Sequence, residues 1–228
     1  MDNLNIVASF VFSAVTAVAT IVTTVTAILA IKQTNKQIKQ SNTQQLFDRR
    51  LEKYQLISEL ISNYATNRTK IIALKEDYSQ ASKVWSCLTN CAVFDNIHSR
   101  AVAFNAKDEQ LYKFLEKLST EAKLIWCGDE SFLIGQFILK YRDCIEAIEN
   151  YSIFWIHVGR FNDANPDEEQ RQKRENRNER FKAKVDNSIK EIEEVYSQII
   201  YTDAENRLLN QTSLLWRRKN VKSRKAAK

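Results

Sequence analysis

Residues 4–31 carry no charged side chain, and that stretch constrains the chain more than any other. A helix rising about 1.5 Å per residue needs roughly 20 apolar residues to cross a bilayer core, so this one has length to spare. Its two sides differ. Alternating steps of four and three residues meet Ser9, Ser13, Thr16, Thr20, Thr23, Ala27 and Ala30, all small and most hydroxylated. The same steps two positions further on meet Val11, Val15, Val18, Val22, Val25 and Leu29. At about 100° per residue, an offset of two lies near the opposite face. One side suits lipid; the other suits a partner helix or water.

The front end, Met-Asp-Asn-Leu-Asn, lacks the basic residues of a secretory signal peptide, which argues for a retained span over a cleaved leader. Asp2 precedes the span, whereas Lys32, Lys36, Lys39, Arg49 and Arg50 follow it. The positive-inside rule then predicts an N-terminus outside and residues 32–228 in the cytoplasm. Later apolar stretches, 124–138 and 151–158, are interrupted or short, so the expectation is a single pass.

The same stepping continues past Ala30 through Thr34, Gln37, Ser41 and Gln44. Residues 32–45 are polar on every side and contain no helix breaker, which predicts that the membrane helix continues as a polar extension. The expected organisation is a transmembrane helix over 1–31, that extension over 32–45, a helical bundle over 46–208 and a basic tail over 209–228.

The bundle reads as all-α. The chain has three Gly and one Pro, and its Leu, Ile, Glu, Lys and Gln favour helix. Phe47, Leu51, Tyr54, Ile57 (or Ser58), Ile61 and Tyr64 form an amphipathic stripe. Residues 68–94 read as a second helix with Ile71, Leu74, Tyr78, Trp85 and Leu88 inward. Over 95–126 the core candidates are Leu111, Phe114, Leu115, Leu118 and Leu124. Cys127-Gly128-Asp129 reads as a turn, followed by Phe132, Phe137, Ile138, Tyr141, Ile145, Ile148 and Trp155. Asn165 before Pro166, with acids following, predicts a helix start. Its charge-dense opening reads as a solvated projection, and Phe181, Val185, Ile189, Ile192, Tyr196 and Ile199 as its packed face.

Chemistry-bearing patterns are sparse. Four cysteines on the cytosolic side are expected as reduced thiols. Cys87 and Cys91 share a helix face, but only His98 lies nearby, so packed cysteines are preferred over a metal site. There is no Gly-rich phosphate loop and no nucleophile elbow. No catalytic residue and no cofactor is assigned. The tail's Arg217, Arg218, Lys219, Lys222, Arg224 and Lys225 suit anionic lipid headgroups or RNA, or serve only as a solubilising tail.

Two readings of the seam stay open. Small faces let helix backbones approach, with Ser and Thr hydrogen-bonding across the contact. Alternatively the seam faces water, and its neutral hydroxyls and amides line a pore. Its 3.5-residue period implies a left-handed supercoil between several copies, hence a homo-oligomer.

The run Phe47-Asp48-Arg49-Arg50-Leu51-Glu52-Lys53-Tyr54 resembles an F-D-x-R-x-x-x-Y motif of uncharacterised bacterial single-pass membrane proteins. The run Glu121-Ala122-Lys123-Leu124-Ile125-Trp126-Cys127-Gly128-Asp129-Glu130 is similar to a second motif of that class. In layout, size and polar seam the chain also resembles the pore-forming membrane accessory proteins of type VI-B CRISPR systems, which are divergent HEPN-like. That resemblance implies a bacterial inner-membrane location, a role in antiphage defence and, as a partner, a CRISPR effector complex. A catalytic HEPN site pairs an Arg with a His a short interval later on one helix. Neither His98 nor His157 has that Arg: Cys91 to Phe94 precede the first, and Asn150 stands at the spacing before the second. His157, on an apolar stretch, is expected in the core, and a competent nuclease is not expected, with a degenerate HEPN-like, membrane-bound ribonuclease left as a third option. The expectation is a pore-forming effector or accessory; the alternative is a membrane-tethered scaffold or sensor that binds a protein or RNA.

Overall fold

A computed structural model of the chain describes residues 2–94, 104–160 and 168–212, with side chains described over 12–94, 109–157 and 168–212. The described residues are helical and include no strand. They comprise α1 (Asp2–Ala73), a 3-10 turn (Tyr78–Gln80), α2 (Ala81–Thr89), α3 (Phe104–Ile125), α4 (Asp129–Arg160), α5 (Glu168–Thr202) and a final helical stretch over 204–212. The chain divides into two compact units, residues 1–48 and residues 49–228.

In the first unit, α1 is long and apolar enough to cross a membrane. Val15, Val18, Ile21, Val22, Val25, Ile28, Leu29 and Ile31 are 50–63% exposed.

The second unit has a conventional core. On α1 the buried face is Ile57, Leu60, Ile61, Tyr64, Asn67 and Ile71, spaced at three and four residues. Phe47, at the start of the expected stripe, and Tyr54 are only partly buried, and Leu51 between them is exposed.

The expected second helix over 68–94 is in fact divided. Its first six residues belong to α1, which ends at Ala73. Asp77 then accepts from the Ser79 backbone N–H at 3.0 Å and caps the 3-10 turn. A short acidic side chain bonding forward to the N–H two residues on competes with helix continuation, and no Gly or Pro marks the break.

Helices α3 and α4 form an antiparallel hairpin across Gly128, whose φ of +99° turns the chain. Ser119 Oγ donates to the Gly135 carbonyl at 2.8 Å. A Cβ at Gly135 would come within 2.5 Å of the Lys123 side chain, so the missing side chain permits this close approach. Three expected core residues fall outside this packing, Trp155 near the end of α4 at 44% exposed among them. Leu124 is 79% exposed and Phe132 55%, and the neighbouring Ile125, Trp126 and Ile134 are buried instead. Where apolar residues are adjacent in a helix, the position that shares the face of Leu111, Leu115, Leu118 and Ala122 is the one that goes inward.

Helix α5 packs antiparallel on α4, with Phe154 against Phe181 at 5.1 Å and Lys140 bonded to Glu191 at 2.6 Å. Val185, Ile189, Ile192 and Ile199 are buried, and Phe181 and Tyr196 pack partly buried against the core. Its first turn carries Glu168 and Glu169; the expected cap at Asn165 and Pro166 lies outside the described residues. Asp203, at φ +53°, ends it in the left-handed region that short polar side chains tolerate.

Candidate functional site

Along α1 in the first unit, the seam residues Ser13, Thr16, Thr20, Thr23, Ala27, Ala30, Thr34, Gln37, Ser41 and Gln44 are all exposed. The side chain of Ser9 lies outside the described residues. Each seam threonine donates its hydroxyl to the carbonyl four residues back. Thr16 bonds to Phe12 at 2.8 Å, Thr20 to Thr16 at 2.8 Å, Thr23 to Ala19 at 2.7 Å and Thr34 to Ala30 at 2.9 Å. Thr24 and Thr26, off the seam, do the same. The local cause is geometric: a helical threonine can place Oγ1 against the preceding turn. These hydroxyls therefore keep lone pairs and a methyl outward with their proton already bonded.

On the opposite stripe Val15, Val18, Val22, Val25 and Leu29 are exposed as well. The seam and the valine stripe thus stand as two bare surfaces of one helix. The tail residues Arg217, Arg218, Lys219, Lys222, Arg224 and Lys225 lie outside the described residues.

Polar ties between residues distant in sequence fix the second unit. The Tyr64 hydroxyl donates to Glu193 Oε1 at 2.5 Å, and Arg68 forks onto the same carboxylate, Nε to Oε2 at 2.9 Å and Nη2 to Oε2 at 2.6 Å. Burial alone raises the Glu193 carboxyl pKa, but the Arg68 and Tyr64 hydrogen bonds outweigh it and hold the value below the usual one. Asn63 Nδ2 donates to the Leu88 carbonyl at 3.0 Å and to the Tyr141 hydroxyl at 2.8 Å, and Tyr141 donates to that same carbonyl at 2.8 Å. The Trp126 indole N–H reaches Thr212 Oγ1 at 3.1 Å, and Gln211 brackets the Cys127 backbone. None of these pairings was legible from spacing, because each joins residues distant in sequence.

The two motif segments meet. Lys53 Nζ lies 3.1 Å from Glu121 Oε2, and Arg49 Nη2 lies 3.7 Å from Glu121 Oε1. Glu130, at the end of the second motif, pairs with Arg207 at 3.0 Å. These are ion pairs on the flank of a packed bundle, and they hold helices together rather than presenting a reactive group.

His157 is exposed on α4, against the expectation of a core position. It sits near the end of the helix, beyond the last buried residue of that face, Tyr151. His98 lies outside the described residues. Cys87 and Cys91 are partly buried and form no disulfide. Among the described residues no three of His, Cys, Asp and Glu are grouped so as to hold a metal ion. A cavity of about 340 Å³ is lined by Tyr78, Ser79, Ser82, Ser152, Trp155 and Ile156. Among the described residues its lining offers hydroxyls and aromatic rings.

No family model matches the chain, and neither the curated proteins nor the solved structures include a match to it.

Proposed function

We propose that the protein is a single-pass membrane protein that assembles through the α1 seam into a homo-oligomer and permeabilises the bilayer. The observation that carries this reading is the bare apolar surface of α1, exposed from Val15 to Ile31 and free of charge. Water does not tolerate such a surface on a monomer, whereas a bilayer and neighbouring copies cover it. The seam supplies a neutral hydroxyl and amide path, with Thr16, Thr20 and Thr23 at its narrow part and Gln37, Ser41 and Gln44 beyond. Positive charge after the span supports an inner-membrane orientation with residues 32–228 in the cytoplasm. A role in antiphage, CRISPR-associated defence, a CRISPR effector complex as partner and a divergent HEPN-like bundle are the parts of this proposal that rest on resemblance. Contact of the basic tail with anionic lipid or RNA belongs to the proposal too.

Thr20→Leu tests it. The substitution fills the seam with an apolar side chain but leaves the valine stripe intact. The oligomer mass in mild detergent should stay the same while dye release from vesicles, or potassium release from cells, falls. Undiminished release removes the pore.

The threonine back-bonding favours a second reading. A seam whose donors are already bonded packs against another helix without stranding a polar hydrogen, as a tethered scaffold or sensor requires. Replacing residues 4–31 with an unrelated anchor separates the two: the scaffold keeps its function and the pore loses it.

A further inference from the structure

The opening of α5 is not uniformly charged. Lys173, Arg177, Arg180 and Lys184 repeat at four, three and four residues and are all exposed. Glu168, Glu175 and Glu179 fall on another face, about 150° away around the helix. Ion pairs along the helix take up several other charges: Arg171 with Glu168, Lys182 with Glu179 and Lys190 with Glu194. Lys173 is held by Glu169 at 2.5 Å. Arg177, Arg180 and Lys184 form no ion pair with any described residue. A charge-rich helix ordinarily neutralises itself through such pairs. Here four of the seven cations from Arg171 to Lys184 fall in one line, with Glu169 beside its first member, and three of the four are open.

We propose that this stripe binds the phosphate backbone of a single-stranded nucleic acid. From Lys173 to Lys184 it runs about 16 Å, at about 1.5 Å per residue. A stacked strand presents one phosphate per ~3.4 Å, so about five phosphates lie along the stripe. Two of the three open cations are arginines, whose planar fork matches phosphate oxygens. A line one residue wide, with acids around the far side, fits a charged rod better than a membrane plane. The stripe also lies at the end of the second unit away from Arg49. Helices α1 and α5 run antiparallel there: Tyr64 and Arg68 of α1 bond Glu193, Tyr78 of the 3-10 turn that follows α1 bonds Asp186 further back along α5, and residues 173–184 lie beyond that pair. The assignment is independent of whether α1 forms a pore.

The test uses the full chain in detergent and a labelled 20-nucleotide oligouridylate, with affinity measured across salt concentrations. Neutralising three phosphate contacts on a single strand should flatten the log–log salt dependence by about 2, at roughly 0.7 per contact. R177Q/R180Q/K184Q should therefore lower affinity at low salt and flatten that slope, while R177K/R180K restores most of the charge-dependent binding. Because the tail is also basic, the same comparison is made with Arg217, Arg218, Lys219, Lys222, Arg224 and Lys225 changed to Gln. The stripe's contribution should persist in that background. An unchanged slope in either background, in chains with unchanged helical circular dichroism, overturns the assignment. So does equal or stronger stripe-dependent binding to polyglutamate or to anionic vesicles, which would assign the stripe to an acidic polypeptide or a lipid surface.

Discussion

Lys53 on α1 and Glu121 on α3 meet with Nζ 3.1 Å from Oε2, and each side chain is only 15% exposed. The pair ties the entry of the second unit to the hairpin that follows it. Arg49 adds a longer contact to the same carboxylate at 3.7 Å, and Lys53 also lies 3.4 Å from Glu52. Glu121→Ala therefore removes the junction without leaving Lys53 alone. The expected loss is about 1 kcal/mol, near the top of the range for partly exposed pairs. A double-mutant cycle with Lys53→Ala, read by thermal unfolding, should show coupling; strict additivity would show that the pair is idle.

Tyr64, Arg68 and Glu193 give the fold a dependence on acid. Glu193 has a folded pKa below its unfolded value, so its stabilising contribution is present above the unfolded value and lost as pH falls through the folded one. Wild type should lose melting temperature between neutral pH and about pH 3.5, from the reference carboxylate range. Glu193→Gln should start lower and lose less over that interval. Equal losses in the two proteins would place the acid sensitivity elsewhere.

The cysteines should separate by reactivity. Burial pushes the Cys144 thiol up to about 12, whereas Cys127 is exposed beside the α3–α4 turn. A maleimide at pH 7.5 in the native protein should label Cys127 first and Cys144 only after denaturation, since the thiolate is the attacking form. Mass spectrometry of timed digests reads the order directly, and early labelling at Cys144 would mean that the core opens there.

Gly128 should resist substitution. Its φ is +99°, and a Cβ there would come within 2.6 Å of Glu130 Oε2, an atom of the carboxylate that pairs with Arg207. Gly128→Ala is expected to cost about 1–2 kcal/mol from the backbone alone. Comparison with Gly128→Ala in an Arg207→Ala background would show whether displacement of Glu130 adds to that cost.

A charge on the valine stripe should keep α1 out of a bilayer. Val22→Lys carries a penalty of about 2.5–3.5 kcal/mol at the middle of a span. Membrane-fraction yield and protease protection of the N-terminus should both fall. Normal insertion would remove the transmembrane reading, and the pore with it.

Periodicity carried the sequence reading where one helix face is buried without interruption. Ile57, Ile61 and Tyr64 on α1, Phe137, Ile138, Tyr141, Ile145 and Ile148 on α4, and Val185, Ile189 and Ile192 on α5 were all legible that way. It failed where apolar residues adjoin. Leu124 and Ile125 are equally hydrophobic neighbours, and only the helix phase decides between them. The break after Ala73 was hidden because Asp77 makes it with a side-chain hydrogen bond in place of Gly or Pro. The cationic line on α5 was hidden by density of charge: a run rich in both signs reads as solvated until the helix turns are counted. Tyr64–Glu193 and Trp126–Thr212 join residues far apart in the chain, and no local pattern announces such pairs.

The threonines of α1 have a further consequence. A hydroxyl already bonded to the carbonyl behind it loses nothing when its helix passes from lipid to water or against a neighbour. Thr16, Thr20, Thr23 and Thr34 therefore keep their donors satisfied in any of these surroundings. What remains to choose among those surroundings is shape and dispersion, both shallow and easily rebalanced. A helix of this kind can exchange neighbours without breaking a bond.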